Sequence, residues 1–305
     1  MTTAAVTTDS TNPVVRRIQD IWRSRPSLKL RRDRFAMVCL VVISLYMLIA
    51  ALVALGVIGG DFADRVGTNY QSPNGETWKH WLGTDRQGRS IIVRMLYSTK
   101  VAFNVGFVSA LIGSVVGSLT GAIAGYFGKT TDTVVVWLYS TIQSIPNLLL
   151  LIALSYAVSR TDLGRGLIVV YIAFGATFWV GPCRVVRGEV LKLRESDYVQ
   201  AARAMGYSHA RILLLHVLPN TLHLVLVYFA LLFVAAIKSE VILSYLGLGV
   251  QGEPSWGVMI NQSRAELING YYWQIGAATL AMLGLVLCFN VFADALQDAL
   301  DPKSL

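Results

Sequence analysis

His209, His216 and His223 recur every seven residues, and imidazoles on one helix face are the first groups in this chain to consider for metal chemistry. No carboxylate or cysteine completes a ligand set around them, and His223 lies in an apolar run, so a metal site is not the reading. Gly247-Leu-Gly-Val-Gln-Gly252 matches G-x-G-x-x-G, but that fingerprint serves a dinucleotide only between a strand and a helix. Here it follows an apolar helix and runs into Pro254. The chain carries no P-loop pattern, no G-x-S-x-G and no H-E-x-x-H, so nothing marks it as an ATPase or other enzyme. Lys238 and Glu240 stand near the end of another apolar run. A charge at mid-bilayer costs roughly 2.5–3.5 kcal/mol, which places both toward an interface, with Glu240 a candidate group of a substrate vestibule.

The most informative residues do mechanical work. Tyr198-Val-Gln-Ala-Ala-Arg-Ala-Met-Gly206 is a charged, alanine-rich helical stretch between two long apolar runs, followed by His216-Val-Leu-Pro-Asn220. Ala201, Ala202 and Ala204 predict a smooth face that can enter a partner's groove with little side-chain entropy lost. Gly206 can take the left-handed conformation that ends a helix, and Ser208 can cap a new one leading through Arg211 and Ile212–Leu215. A short helix, a sharp turn and a rigid lead into the next apolar run suit the transmission of a push. The bland alternative is a connecting helix at a membrane surface.

The elements that position this segment are hydrophobic. Phe35–Ile58, Val101–Phe127, Thr133–Ser159, Leu167–Cys183, Val217–Ile237 and Tyr271–Ala293 are long uncharged runs, and about 20 apolar residues in helical form cross a bilayer core of ~30 Å. The reading is an all-α integral membrane protein with six transmembrane helices. The first run begins too late and is too long for a signal-peptide core. Cys39, Cys183 and Cys288 fall in separate runs and read as small membrane residues.

The net charge of +8 is concentrated before the first span, at Arg16, Arg17, Arg23, Arg25, Lys29, Arg31, Arg32 and Arg34. That position fits the positive-inside rule and argues against nucleic acid. With the N-terminus cytoplasmic, residues 1–34 form a basic tail and 35–58 the first span. Residues 59–100 are an external loop, 101–293 a five-helix core with an internal loop at 184–216, and 294–305 a cytoplasmic tail. Sixteen Lys and Arg then lie inside and ten outside, six of these in the loop 59–100. That loop predicts an interfacial helix, N-capped by Thr84 or Asp85, with Ile91, Ile92, Met95 and Leu96 on one face. Gly113, Gly117, Gly121 and Gly125 repeat every fourth residue, the signature of a tightly approached neighbouring helix. Pro146 predicts a kink in the third span, either lining a pathway or purely structural.

Several motifs together resemble one family. His80-Trp-Leu-Gly-Thr-Asp-Arg-Gln-Gly-Arg89, Gly125-Tyr-Phe-Gly-Lys-Thr-Thr-Asp132, Ser244-Tyr-Leu-Gly-Leu-Gly249 with Pro254-Ser-Trp-Gly257, and Asp298-Ala-Leu-Asp-Pro302 look like the signatures of dipeptide/oligopeptide/nickel ABC-importer permeases. The segment Tyr198–Gly206 resembles their coupling ("EAA") loop, and the basic tail with the first motif resembles the C-type (DppC/OppC-like) subunit. The resemblance covers nearly all of the chain after residue 30. It implies a type I ABC importer permease fold, a B-type permease partner, one or two ABC ATPase subunits that hold ATP and Mg, and an extracytoplasmic peptide-binding protein. It also implies that Tyr198, Gln200, Ala201, Ala202, Arg203, Met205, Gly206 and Arg211 serve ATPase coupling, with no cofactor on this chain. Gln200 departs from the family's Glu and puts a salt bridge to the ATPase there in doubt. A short peptide is the implied cargo, with nickel chelates or haem-like solutes as variants. An ion-coupled secondary transporter is the rival, but it would normally bury ionisable residues deep in its spans, where this chain has almost none.

Overall fold

A computed structural model describes residues 30–161 and 166–300; the basic tail before residue 30 and the C-terminal Asp301–Leu305 lie outside the described residues. The described residues form an all-helical fold, and among them five helices are long and apolar enough to cross a membrane, or six if a bent pair is one span. Helix α1 (Arg34–Ala54) starts where the Asp33 side chain accepts from the Ala36 amide at 3.1 Å. Helix α2 (Ile91–Phe127) is continuous over 37 residues. At 1.5 Å per residue it is ~55 Å long, well beyond a bilayer core.

Its start corrects one expectation. The cap is Ser90, whose hydroxyl accepts from the Val93 amide, so Thr84 and Asp85 belong to the loop before the helix. Ile91–Leu96 form the first turns of α2 itself, with Ile91 and Arg94 buried in the chain, and no separate interfacial helix precedes the span.

The third apolar run is two helices, α3 (Lys129–Gln143) and α4 (Asn147–Ser159), bent by 89°. Pro146 has no N–H to offer and keeps Ile145 out of the helical region, so the run breaks where a kink was expected. Helices α5 (Ile168–Phe178) and α6 (Val180–Leu193) form one 26-residue span that carries the chain ten residues past Cys183. Helix α7 (Asp197–Ala204) and α8 (His209–Ile212) follow. A π-helical stretch, Leu213–Val217, joins α8 to α9 (Leu218–Tyr245), which carries Pro219 in its first turn. Helix α10 (Trp256–Ile268), capped by Ser255, and α11 (Trp273–Leu300) complete the described residues.

Helix α2 is the central rod, packed chiefly on α6 and α9. The glycine row makes the first contact possible. A methyl group at Gly113 would sit 3.0 Å from Phe178 Cβ, at Gly121 3.0 Å from Cys183 Cα, and at Gly125 2.8 Å from the Arg187 carbonyl; Gly117 faces Pro182 and the Cys183 amide. No side chain fits between these backbones. Elsewhere large apolar groups point outward, among them Trp137, Leu149 and Leu280, as lipid-facing or partner-facing helices require.

Candidate functional site

Helix α7 is seated by two residues one turn apart. Val199 is 0% and Ala202 2% exposed, packed with Tyr126 of α2, Val186 and Val190 of α6, and Ile212, Leu213 and Val217. Ala202 therefore belongs to the seat, and the smooth outer face expected of three alanines is made by Ala201 and Ala204 alone. Around them Tyr198, Gln200, Arg203 and Met205 are exposed, Met205 at 66%.

The end of α7 has a physical cause. Gly206 adopts φ +79°, a region that costs a side-chain-bearing residue about 1–2 kcal/mol. The Gly206 amide donates to the Arg203 carbonyl at 2.9 Å and the Tyr207 amide to the Ala202 carbonyl at 3.2 Å, the paired bonds of a Schellman ending. Ser208 then caps α8, accepting from the Arg211 amide at 3.4 Å.

Polar side chains brace this turn. Gln200 Nε2 donates to the Glu195 carbonyl at 2.9 Å, a bond that an ionised Glu in that place could not donate. The Arg203 guanidinium lies 5.3 Å from the Tyr126 ring centre, and that of Arg211 lies 4.7 Å from Tyr207. The histidines join the same brace: His209 Nδ1 is 3.0 Å from the Tyr126 hydroxyl, and His216 stacks on Tyr207. Among the described residues no three His, Cys, Asp or Glu side chains are grouped to hold a metal ion. At the same end Arg187 of α6 pairs with Asp132 of α3, its Nη2 reaching Oδ2 at 2.6 Å. Short helix α7 thus rests on a base tied to several spans.

The seat itself was missed in the sequence. The expected loop 184–216 contains Val186 and Val190, whereas they lie on the continuation of a span. Their spacing of four was the available signal.

The opposite end of α2 carries a second polar cluster. Asp85 accepts from Arg89 Nε at 2.7 Å and from Arg94 at 2.6 Å, and the Arg94 second nitrogen donates to Gln262 of α10 at 2.8 Å. Burial opposes the Asp85 charge, but the bonds from Arg89 and the Arg94 charge win and hold its carboxyl below the usual range. Burial pushes Glu266 of α10 the other way, upward, against the bond it accepts from the Arg86 amide. Glu240 does not line an open vestibule in this structure. It is 1% exposed and accepts from the Ser244 hydroxyl at 2.6 Å. Pro146 by contrast lines a crevice of about 380 Å³ with Gln143, Asn147, Thr177 and Leu232.

Comparison with known proteins identifies relatives over most of the chain. Residues 117–305 match the family model described as binding-protein-dependent transport system inner membrane component. The chain is 33% identical to the dipeptide transport system permease protein DppC of Bacillus subtilis, over 93% of this chain and 85% of that one. It is 32% identical to the oligopeptide transport system permease protein OppC of the same organism, over 98% and 95%. It is also 34% identical to the glutathione transport system permease protein GsiD of Pectobacterium atrosepticum, over 75% and 74%.

Proposed function

This chain belongs to the family of binding-protein-dependent transport system inner membrane components, and on that premise we propose that it is the C-type permease subunit of an ATP-driven importer of short peptides. It forms the path with a B-type permease in the bacterial plasma membrane. The observation that carries this reading is the seating of α7: one face fixed by Val199 and Ala202, the other offering Tyr198, Gln200, Ala201, Arg203 and Met205. One or two ABC ATPase subunits, which hold ATP and Mg, dock on that face and on Arg211. Closure of the ATPases pushes α7. The Schellman turn at Gly206 and the π-joined helix from His209 to Tyr245 carry the push into the bundle, together with α6 and α2 below the seat.

Residues 1–34 and 294–305 lie in the cytoplasm, and 59–90 outside, where a peptide-binding protein delivers the cargo. The core is 91–293, since α2 begins at Ile91, and its coupling segment proper is 194–212, since α6 runs to Leu193. The names of the relatives, dipeptide, oligopeptide and glutathione systems, support short peptides as the cargo class.

The test is purification of the tagged chain from its native membrane in mild detergent with mass-spectrometric identification of its companions, alongside uptake of labelled Ala-Ala in cells with and without the chain. A second permease and a P-loop ATPase, with uptake lost on deletion, are the expected results. Recovery of the chain alone with uptake unchanged overturns the proposal.

A further inference from the structure

Between the start of α2, the end of α9 and the start of α10 lies a cavity of about 360 Å³, within the size range of small-molecule sites. It sits at the opposite end of α2 from the coupling helix, since Arg94 and Tyr126 are ~48 Å apart along one continuous helix. Its walls include Arg89, Arg94, Gln251, Glu253, Asn261 and Gln262. Such a density of polar groups is unusual in a chain otherwise built of apolar helices.

Arg94 is the anomaly. The residue is 2% exposed and two of its nitrogens are engaged by Asp85 and Gln262, yet Nε has no hydrogen-bond partner among the described residues. A buried guanidinium donor left unpaired is costly, and a polar ligand that accepts from it removes the cost. Arg86, Arg89 and Arg94 stand here against two carboxylates, Asp85 and Glu266, so this wall keeps an excess positive charge. On another wall Glu253 accepts from the Tyr97 hydroxyl at 3.0 Å, and a carboxylate has four lone-pair sites, so most of its capacity remains. Tyr97 stands one helical turn beyond Arg94. The guanidinium groups and the Glu253 carboxylate thus line one cavity, with the Tyr97 hydroxyl also accepting from Lys100 Nζ at 3.3 Å.

We infer that this cavity is a cargo subsite for a zwitterionic short peptide, Arg94 and Arg89 receiving its terminal carboxylate and Glu253 its ammonium group. The inference rests on the reading of the chain as a peptide-importer permease. The shared chemistry, a carboxylate, could also come from an acidic side chain of the delivering protein, and the arms below separate the two sources.

The experiment uses the assembled transporter in nanodiscs without its binding protein, titrated with labelled Ala-Ala and with the C-terminal amide of Ala-Ala. The subsite predicts saturable binding of Ala-Ala, at least tenfold weaker binding of the amide, and a tenfold loss for Ala-Ala in Glu253→Gln and in Arg89→Gln. Glu253→Gln is the safer variant, because among the described residues the Glu253 carboxylate accepts a side-chain hydrogen bond from Tyr97 alone. Equal binding of acid and amide, or full affinity in both variants, overturns the subsite. So does absence of Ala-Ala binding while binding-protein-dependent uptake persists, which leaves the transport reading standing and points to the delivering protein as the carboxylate source. Absence of uptake dependence on the chain sinks the transport reading itself.

Discussion

Ala202 of α7 and Met205, the residue that caps it, are three residues apart and take opposite roles, and side-chain exposure decides which. Ala202 is buried against Tyr126, Val186 and Ile212; an aspartate there places a carboxylate in an apolar seat with no partner, at a cost of at least about 3 kcal/mol. Helix α7 comes off its seat instead of paying that in full. Ala202→Asp should therefore accelerate protease cleavage within 194–208 and lose the ATPase together. Met205→Glu changes an exposed side chain, a class of substitution that usually moves stability by less than ~0.5 kcal/mol. It should leave the cleavage rate unchanged and still weaken ATPase recovery by roughly tenfold, tenfold being about 1.4 kcal/mol of binding. Equal cleavage of the two variants would show that the seat is not what holds the helix. Asp85 makes a second residue-scale prediction. Its carboxyl is held below the usual range in the folded chain, so the stability it contributes is complete above the unfolded carboxylate range and lost as pH falls through the lower, folded value. Thermal midpoints in detergent should fall on acidification below about pH 4. Asp85→Asn should be less stable at neutral pH, because Arg94 loses its ion pair, and should lose that acid limb.

At the scale of elements, the glycine row and the helix break show what the sequence could and could not say. Four glycines at spacing four announced a close helix neighbour, and α2 meets α5 and α6 along that row. Gly121→Ala places a methyl group 3.0 Å from Cys183 Cα and 3.1 Å from the Arg187 amide, backbone atoms that cannot step aside. It should lower the thermal midpoint, with α2 and α6 forced apart. Gly276→Ala on α11 is the control: nothing lies within 4 Å of the added methyl, and Ala gains about 0.5–1 kcal/mol over Gly in a helix. Opposite shifts for the two variants are the expected outcome; matching shifts would mean that close approach is not the role of the row. The number of apolar runs and their order were legible because a bilayer imposes length on each one. The break at Pro146 was legible as a proline but its 89° bend was not, since the angle is set by what α3 and α4 pack against. The extension of α6 to Leu193 was hidden by Arg184, Arg187 and Glu189, charges that read as loop but lie on a helix leaving the membrane.

For the whole molecule, the two ends of α2 carry different machinery, and the direction of transport depends on which end faces the cytoplasm. Charge counting gave that answer weakly, because six basic residues fall in the loop assigned to the outside. The structure accounts for three of them: Lys79 pairs with Asp61, and Arg89 and Arg94 with Asp85. These cations serve the internal cohesion of a folded loop, as does the stack of Tyr70 on Tyr271, whose ring centres are 4.5 Å apart. Folding thereby accounts for these cations in a loop proposed to lie outside, so their number does not argue for the inverse topology. The orientation is directly testable with single cysteines, since Cys39 and Cys183 are buried and all three native thiols are free to be replaced. Glu76→Cys, in the exposed loop, should react with a membrane-impermeant maleimide in intact cells. Met205→Cys should react only after permeabilisation, and its labelling should fall further when the ATPase is bound, because the same side chain is then covered. The reverse pattern would place the coupling helix outside the cell, where no ATPase could reach it, and would overturn both the docking and the direction of transport at once.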